Sequence, residues 1–168
     1  MHPFVLLAKE AVETYVTKGK MTHLPEGRSA EMEEKAGVFV CIKKEGQLRG
    51  CIGTFRPCHP AIAEEIIHNA IAAATEDPRF HSLEEEELSA LTYSVDVLSS
   101  PEKISGPREL DVKRYGVIVV SGGRRGLLLP DLEGVESVEE QVRIARDKAG
   151  IAPGELVELY RFEVRRYR

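Results

Sequence analysis

Apolar residues recur along this chain with two periods, one helical and one extended. Phe4, Leu7, Ala8, Ala11, Val12, Tyr15 and Val16 fall on one face of a helix over residues 3–18. Pro3 suits its first turn and Gly19 its C-terminal cap. Residues 22–28 contain Pro25 and Gly27 and read as an irregular loop, with a short helical piece over 30–35 after it. A second helix is predicted over 60–75, where Ile62, Ile66, Ile67, Ala70, Ile71 and Ala74 line one face. Glu64 and Glu65 favour its first turn, and Asp77-Pro78 stops it. Ser82-Leu83-Glu84-Glu85 has the spacing of a capping box and opens a short acidic helix to Leu91.

Between the helices the period shortens to two. Residues 37–42 and 48–55 read as a hairpin around Glu45-Gly46. A two-residue turn there pairs Lys44 with Gln47, which sets Val40 opposite Cys51 and Ile42 opposite Arg49. Val38, Val40, Ile42, Arg49 and Cys51 then share one face, and Phe39, Cys41, Leu48 and Ile52 the other. Both faces are partly apolar, so the hairpin is expected to be covered on both sides. Arg49 is then enclosed and needs an anionic partner or ligand. Residues 93–98 alternate as a strand, with Tyr93, Val95 and Val97 against Ser94 and Asp96.

Residues 99–111, rich in Ser, Pro and Gly, are the best internal boundary. Beyond it the pattern repeats: a strand over 116–120, a turn at Ser121-Gly122-Gly123, and a returning strand over 125–129 closed by Pro130. A capping box at Ser137-Val138-Glu139-Glu140 opens a helix to Ala149 with Gly150 as its cap, and a last strand lies within 155–167. The first half runs Gly37-Val38-Phe39-Val40, turn, Arg49-Gly50, helix, strand. The second runs Gly116-Val117-Ile118-Val119, turn, Arg125-Gly126, helix, strand. The expected fold class is therefore α+β, with two subdomains built on antiparallel sheets. A hairpin–helix–strand unit would recur over 36–99 and 115–167 within one domain of 168 residues. Duplication and convergence of common parts both explain the echo.

Composition narrows the function classes. The chain is 42% hydrophobic and 30% charged, as ordinary globular proteins are. Its net charge of −5 argues against a surface that neutralises phosphates, so no nucleic-acid partner is expected. No apolar run is long enough to span a membrane, and the N-terminal residues lack the basic stretch of a signal peptide. A cytoplasmic location is the expectation. Three cysteines, Cys41, Cys51 and Cys58, read as free thiols in that compartment, with transient pairing of two left open. Cys51, Cys58 and His59 lack zinc-ligand spacing, so neither a metal nor a cofactor is predicted.

Candidate chemistry concentrates in Leu48-Arg49-Gly50-Cys51-Ile52-Gly53. An apolar strand has little use for an arginine and two glycines, and glycine in a strand marks a bulge or a close approach to the backbone. Arg49 would favour a Cys51 thiolate, and backbone N–H groups near Gly50 and Gly53 would suit an anion. His59 or His68 would serve as base, and His68 with Asp96 would complete a relay. The alternatives are a small buried Cys51 and a Cys51 that only contacts ligand. Arg49, Arg79 and Arg125 form a second set, either an anion site or internal partners of Asp77, Asp96 or Glu64. Residues 122–126 lack the features of a phosphate loop. The acidic run over 84–87 reads as a solvated helix face.

Leu48-Arg49-Gly50-Cys51-Ile52-Gly53-Thr54, Asp77-Pro78-Arg79-Phe80 and Arg125-Gly126-Leu127-Leu128-Leu129-Pro130 together resemble the AMMECR family, the AMMECR-type domain of bacterial AmmeMemoRadiSam systems. Lys148-Ala149-Gly150 fits as well. The resemblance covers nearly the whole chain. It implies two α+β subdomains with a cleft between them that the Leu48–Gly53 motif would face. It also implies genomic company with Memo-type and radical-SAM proteins. It implies no reaction. The expected function is binding of a substrate, small molecule or partner-protein segment in that cleft, with Arg49, Gly50, Gly53, Arg79 and Arg125 as contacts. The alternative is an enzyme with Cys51 as nucleophile or redox thiol.

Overall fold

A computed structural model describes residues 1–168. The chain divides into two compact units, residues 1–98 with 165–168, and residues 99–164.

In the first unit, helix α1 (Pro3–Lys18) forms where the periodicity places it and ends on Gly19 in the left-handed conformation. The short α2 (Ala30–Glu33) follows, capped by the Ser29 hydroxyl. Strands β1 (Gly37–Lys44), β2 (Gln47–Gly53) and β3 (Leu91–Leu98) form an antiparallel sheet in the order β2-β1-β3. Helix α3 (Ile62–Thr75) crosses one face of it. Phe4, Val12, Val38, Val40, Ile42, Ile66 and Val95 make the core between α1, α3 and the sheet. Pro60 lies outside α3. The acidic segment is a 3-10 turn over Glu85–Ala90, and its capping box uses Glu84 and Glu87, two residues later than the Ser82 spacing predicts.

The second unit contains β4 (Glu102–Ile104), β5 (Tyr115–Ser121), β6 (Arg124–Leu128), α4 (Val138–Ala149) and most of β7 (Glu158–Tyr167). Its strands run β6-β5-β7-β4, all antiparallel. The three-residue β4 falls in the segment expected to be a loop, because Pro101 and Gly106 punctuate it so closely. Ser137 caps α4 and Gly150 ends it, as its sequence predicts. Its core is Val117, Val119, Ala145, Ile151 and Leu159 with their neighbours. No helix is long and apolar enough to cross a membrane.

The two units share a pairing scheme. Each has a hairpin, then a helix packed on that hairpin, then a strand that pairs with the hairpin's first strand. A Cβ on Gly50 would lie 2.2 Å from the carbonyl oxygen of Ala73 in α3, and one on Gly126 would lie 1.9 Å from that of Ala145 in α4. Only glycine permits so close a helix at these two positions. Asn69 Nδ2 of α3 donates to the Val38 carbonyl at 2.9 Å, and Gln141 Nε2 of α4 donates to the Tyr115 carbonyl at 2.8 Å.

The hairpin register departs from expectation at one place. Lys44 pairs with Gln47 and Lys43 with Leu48, but Ile42 then pairs with Gly50. Arg49 is thus a β-bulge residue, and every pair beyond it slips by one. Cys51 lies opposite Cys41, not Val40, and Ile52 lies opposite Val40. A one-residue slip moves each side chain to the other face. Cys51 therefore shares a face with Phe39 and Cys41. The α3 side holds the fully buried Val38, Val40 and Ile42, whereas Phe39, Cys41 and Cys51 are only half-buried. Equal cover on both sides is not what forms.

Candidate functional site

The Leu48–Gly53 segment is an edge strand, and two loops from elsewhere in the first unit fix it. Arg49, 7% exposed, turns out at the bulge and meets the 3-10 turn. Its Nε donates to Glu87 Oε1 at 2.9 Å and its Nη2 to Glu87 Oε2 at 3.0 Å. Nη1 donates to the His81 carbonyl at 3.0 Å. A two-pronged pair of this kind satisfies both the planar guanidinium and the carboxylate. Glu87 also accepts from Lys44 Nζ at 3.1 Å and from its own cap nitrogen, Glu84 N, at 2.9 Å. The Arg49 guanidinium, acting against the cost of burial, holds the Glu87 carboxyl down at about 2. The anion that enclosed Arg49 demands is thus supplied from within, by a residue that reads in sequence as part of a solvated run.

Asp77 and Arg79 close the strand edge at Cys51. Asp77 is buried beneath it, and its Oδ2 accepts the Cys51 backbone N–H at 3.0 Å. Arg79 Nε and Nη2 donate to the same carboxylate at 3.0 and 2.8 Å, and Nη2 reaches the Cys51 carbonyl at 3.4 Å. The Asp–Arg pair thereby stands in for a neighbouring strand, taking the outward donor and covering the outward acceptor of one residue. The Arg79 guanidinium, with burial opposing it, holds Asp77 well below the usual carboxylate range. Phe80 lies 5.8 Å from the Arg49 guanidinium and 5.6 Å from that of Arg79, so one ring serves both cations.

A second loop is anchored by Glu65. This carboxylate is fully buried on α3 and accepts from the backbone N–H groups of Cys58 and His59 (2.7 Å for His59) and from Thr54 Oγ1 at 2.8 Å. Asn69 Nδ2 approaches it at 3.5 Å. The loop after β2 is consequently pinned to the helix, with the Cys58 thiol exposed. The rings of His59 and His68 stack at 4.0 Å. Burial, and after it His59, lowers the His68 pKa. No group of three or more His, Cys, Asp or Glu side chains is arranged to hold a metal ion.

Cys51 is not a free thiol. Its sulfur is bonded to that of Cys41 across the strand pair, with Cα atoms 4.1 Å apart, and Cys58 is the free cysteine. The expectation of three free thiols is corrected by the bulge, which brings Cys51 opposite Cys41. Asp96 is likewise engaged, accepting a two-pronged pair from Arg166 Nε and Nη2 at 2.8 and 2.9 Å.

Arg49, Gly50, Cys51, Gly53 and Arg79 thus lie together in the first unit. Gly50 faces α3, and the Phe39 ring covers Gly53, where a Cβ would meet it at 2.2 Å. Arg125 lies in the second unit, exposed on β6 opposite Val120. Sequence reasoning passed over Glu87, Glu65 and Cys41. The offset capping box signals Glu87, and a cysteine one strand away signals Cys41 once a bulge is allowed. Nothing local signals Glu65, whose partners are two backbone N–H groups and the side chains of Thr54 and Asn69.

Fold and site define an α+β domain in which a glycine-flanked cysteine strand is clamped by an Asp-Pro-Arg-Phe loop. The AMMECR1 family model matches residues 5–167, and the chain belongs to that family. A Thermotoga maritima protein is 52% identical over 170 residues, covering 99% of this chain and 98% of that one. Protein CA_C1420 of Clostridium acetobutylicum is 49% identical over 99% of this chain, which matches 36% of that longer protein. The crystal structure of the uncharacterized protein PH0010 from Pyrococcus horikoshii superposes with a TM-score of 0.91 at 37% identity, over 97% of this chain and 88% of that one.

Proposed function

We propose that the chain binds a substrate or a partner-protein segment along the edge and open face of β2, with Arg79, Gly53 and the Cys41–Cys51 row as the contact surface. The observation that carries this reading is the convergence on Cys51 of two motifs far apart in sequence. Asp77 and Arg79 hold both outward backbone groups of that one residue. Alternation along an antiparallel ladder turns the N–H and C=O of Gly53 outward as well. A bound segment meets this edge at Gly53 and at the half-exposed Arg79 guanidinium, beside the Cys51 groups that Asp77 and Arg79 already hold. Arg49 and Gly50 support the surface from behind, through Glu87 and α3. The Memo-type and radical-SAM proteins implied by the family resemblance are the partners to try first.

The test is titration of the purified chain with the Memo-type and radical-SAM proteins of the same genome, by calorimetry. Binding is expected, and Arg79→Ala should weaken it at least about tenfold while Arg108→Ala leaves it unchanged. No binding to either protein, or equal affinity of the two variants, overturns the reading.

A further inference from the structure

We propose that Cys41 and Cys51 form a redox couple that exchanges with a dithiol, with the Cys51 sulfur as the point of attack. Both residues are half-buried, and they lie on the face of the sheet opposite α3. Cys41 belongs to the middle strand, flanked by β2 and β3, whereas Cys51 belongs to the edge strand. An incoming thiolate needs a line of approach to one sulfur with the other departing. On the face opposite α3, Cys51 has a strand neighbour on one side only, so a thiolate reaches its sulfur over that face, past the Asp77–Arg79 clamp that occupies its backbone groups.

The bridge closes only a short loop. It spans a sequence separation of 10, inside a hairpin that the strand ladder and the Glu45-Gly46 turn already close. A cross-link removes entropy from the unfolded chain with the logarithm of the loop it closes, so a loop this short puts the bridge at the small end of that range. The Cys51 backbone is meanwhile held by Asp77 and Arg79, whatever the state of its sulfur. After reduction the two thiols stay opposite one another, so the bridge can re-form without refolding. Ser94, paired with Cys41 on β3, puts a hydroxyl on the same face beside the departing sulfur.

The exchange balances as follows. A thiolate of the dithiol attacks Cys51 Sγ, the Cys41–Cys51 bond breaks, and Cys41 leaves as a thiolate that takes up a proton. The second thiol of the reductant loses its proton and attacks its own sulfur in the mixed disulfide. Cys51 is released as a thiol and the reductant as a cyclic disulfide. Two electrons and two protons pass to the chain.

The couple is independent of the binding reading, because its test uses thiol counts and no partner protein. The folded wild-type chain is equilibrated with oxidised or reduced dithiothreitol, tagged with a maleimide without denaturant, and weighed by mass spectrometry. The oxidised chain should take one tag, at Cys58. The reduced chain should take three, and re-oxidation should restore one. Three tags in the oxidised buffer, or tags at Cys41 and Cys51 only after guanidinium is added, overturn the couple. Glutathione added to the oxidised wild-type chain, quenched early with acid and mapped by peptide mass spectrometry, then compares the sulfurs. An adduct should form at Cys51 about tenfold faster than at Cys41. Equal or reversed rates overturn Cys51 as the point of attack.

Discussion

Arg49 and Gly50 are adjacent and do opposite things. Gly50 matters because it has no side chain. Gly50→Ala drives a methyl into the Ala73 carbonyl, and neither strand nor helix can retreat without losing core packing. Denaturant melts should show a loss of about 1–3 kcal/mol or more. Arg49 matters for its length, which reaches Glu87 across the bulge. The folded Glu87 pKa, about 2, lies below its ordinary value of 4.5. The unfolded chain therefore binds more protons in that interval. The pair's contribution is complete above about pH 4.5 and is lost as the pH falls toward 2. Wild type should exceed Glu87→Gln in stability at neutral pH, and the gap should narrow through this window in acid titrations followed by circular dichroism. A gap independent of pH would mean that Glu87 stabilises by packing alone.

At the scale of elements, an edge strand is an invitation to pair, and β2 answers it with an ion-paired loop. Hydrogen exchange can read this directly. Asp77→Ala should raise exchange at the Cys51 amide by at least about tenfold, since that N–H then faces water. The Ile52 amide, directed at β1, should change far less. Equal acceleration at both would mean that the loop supports the whole hairpin and not its edge. Much at this scale was legible in sequence. Long helices announced themselves by period and caps, with α1 and α4 ending on the glycines that their patterns mark. Both hairpins were legible through their turns. The register of the first was not, because Gly50 and Gly53 signal a bulge or a close approach alike and nothing local says which residue is inserted. The extra residue is Arg49, and its placement depends on Glu87, which lies 38 positions away. The site suffered the same fate. Its residues were legible as a motif, whereas the faces they present depend on that one slip.

Across the whole molecule, the chain returns at its end to the unit where it began. Residues 165–168 belong with the first unit, where Arg166 forks onto the buried Asp96 and Tyr167 packs against His2 and Phe4. Arg166→Ala leaves the Asp96 carboxylate uncompensated. A cost of about 3–5 kcal/mol is expected in the unfolding of this unit. Loss of protection in β3 amides, with those of β5 and β6 unchanged, would check it. Uniform loss in all three strands would show that the two units unfold as one.

The recurrence of one pairing scheme lets the molecule serve as its own control. Set the ladders side by side and Val38 falls on Tyr115, Ile42 on Val119 and Gly50 on Gly126, each helix resting on its glycine and donating one carboxamide to a strand carbonyl. Those shared features are the cost of making the fold at all. Subtracting them leaves a short remainder in the first unit: an inserted arginine, a cysteine pair, and an aspartate and arginine on one strand edge. Grafting that remainder onto β5 and β6 would ask whether a bare copy of the scaffold can acquire the behaviour of its twin.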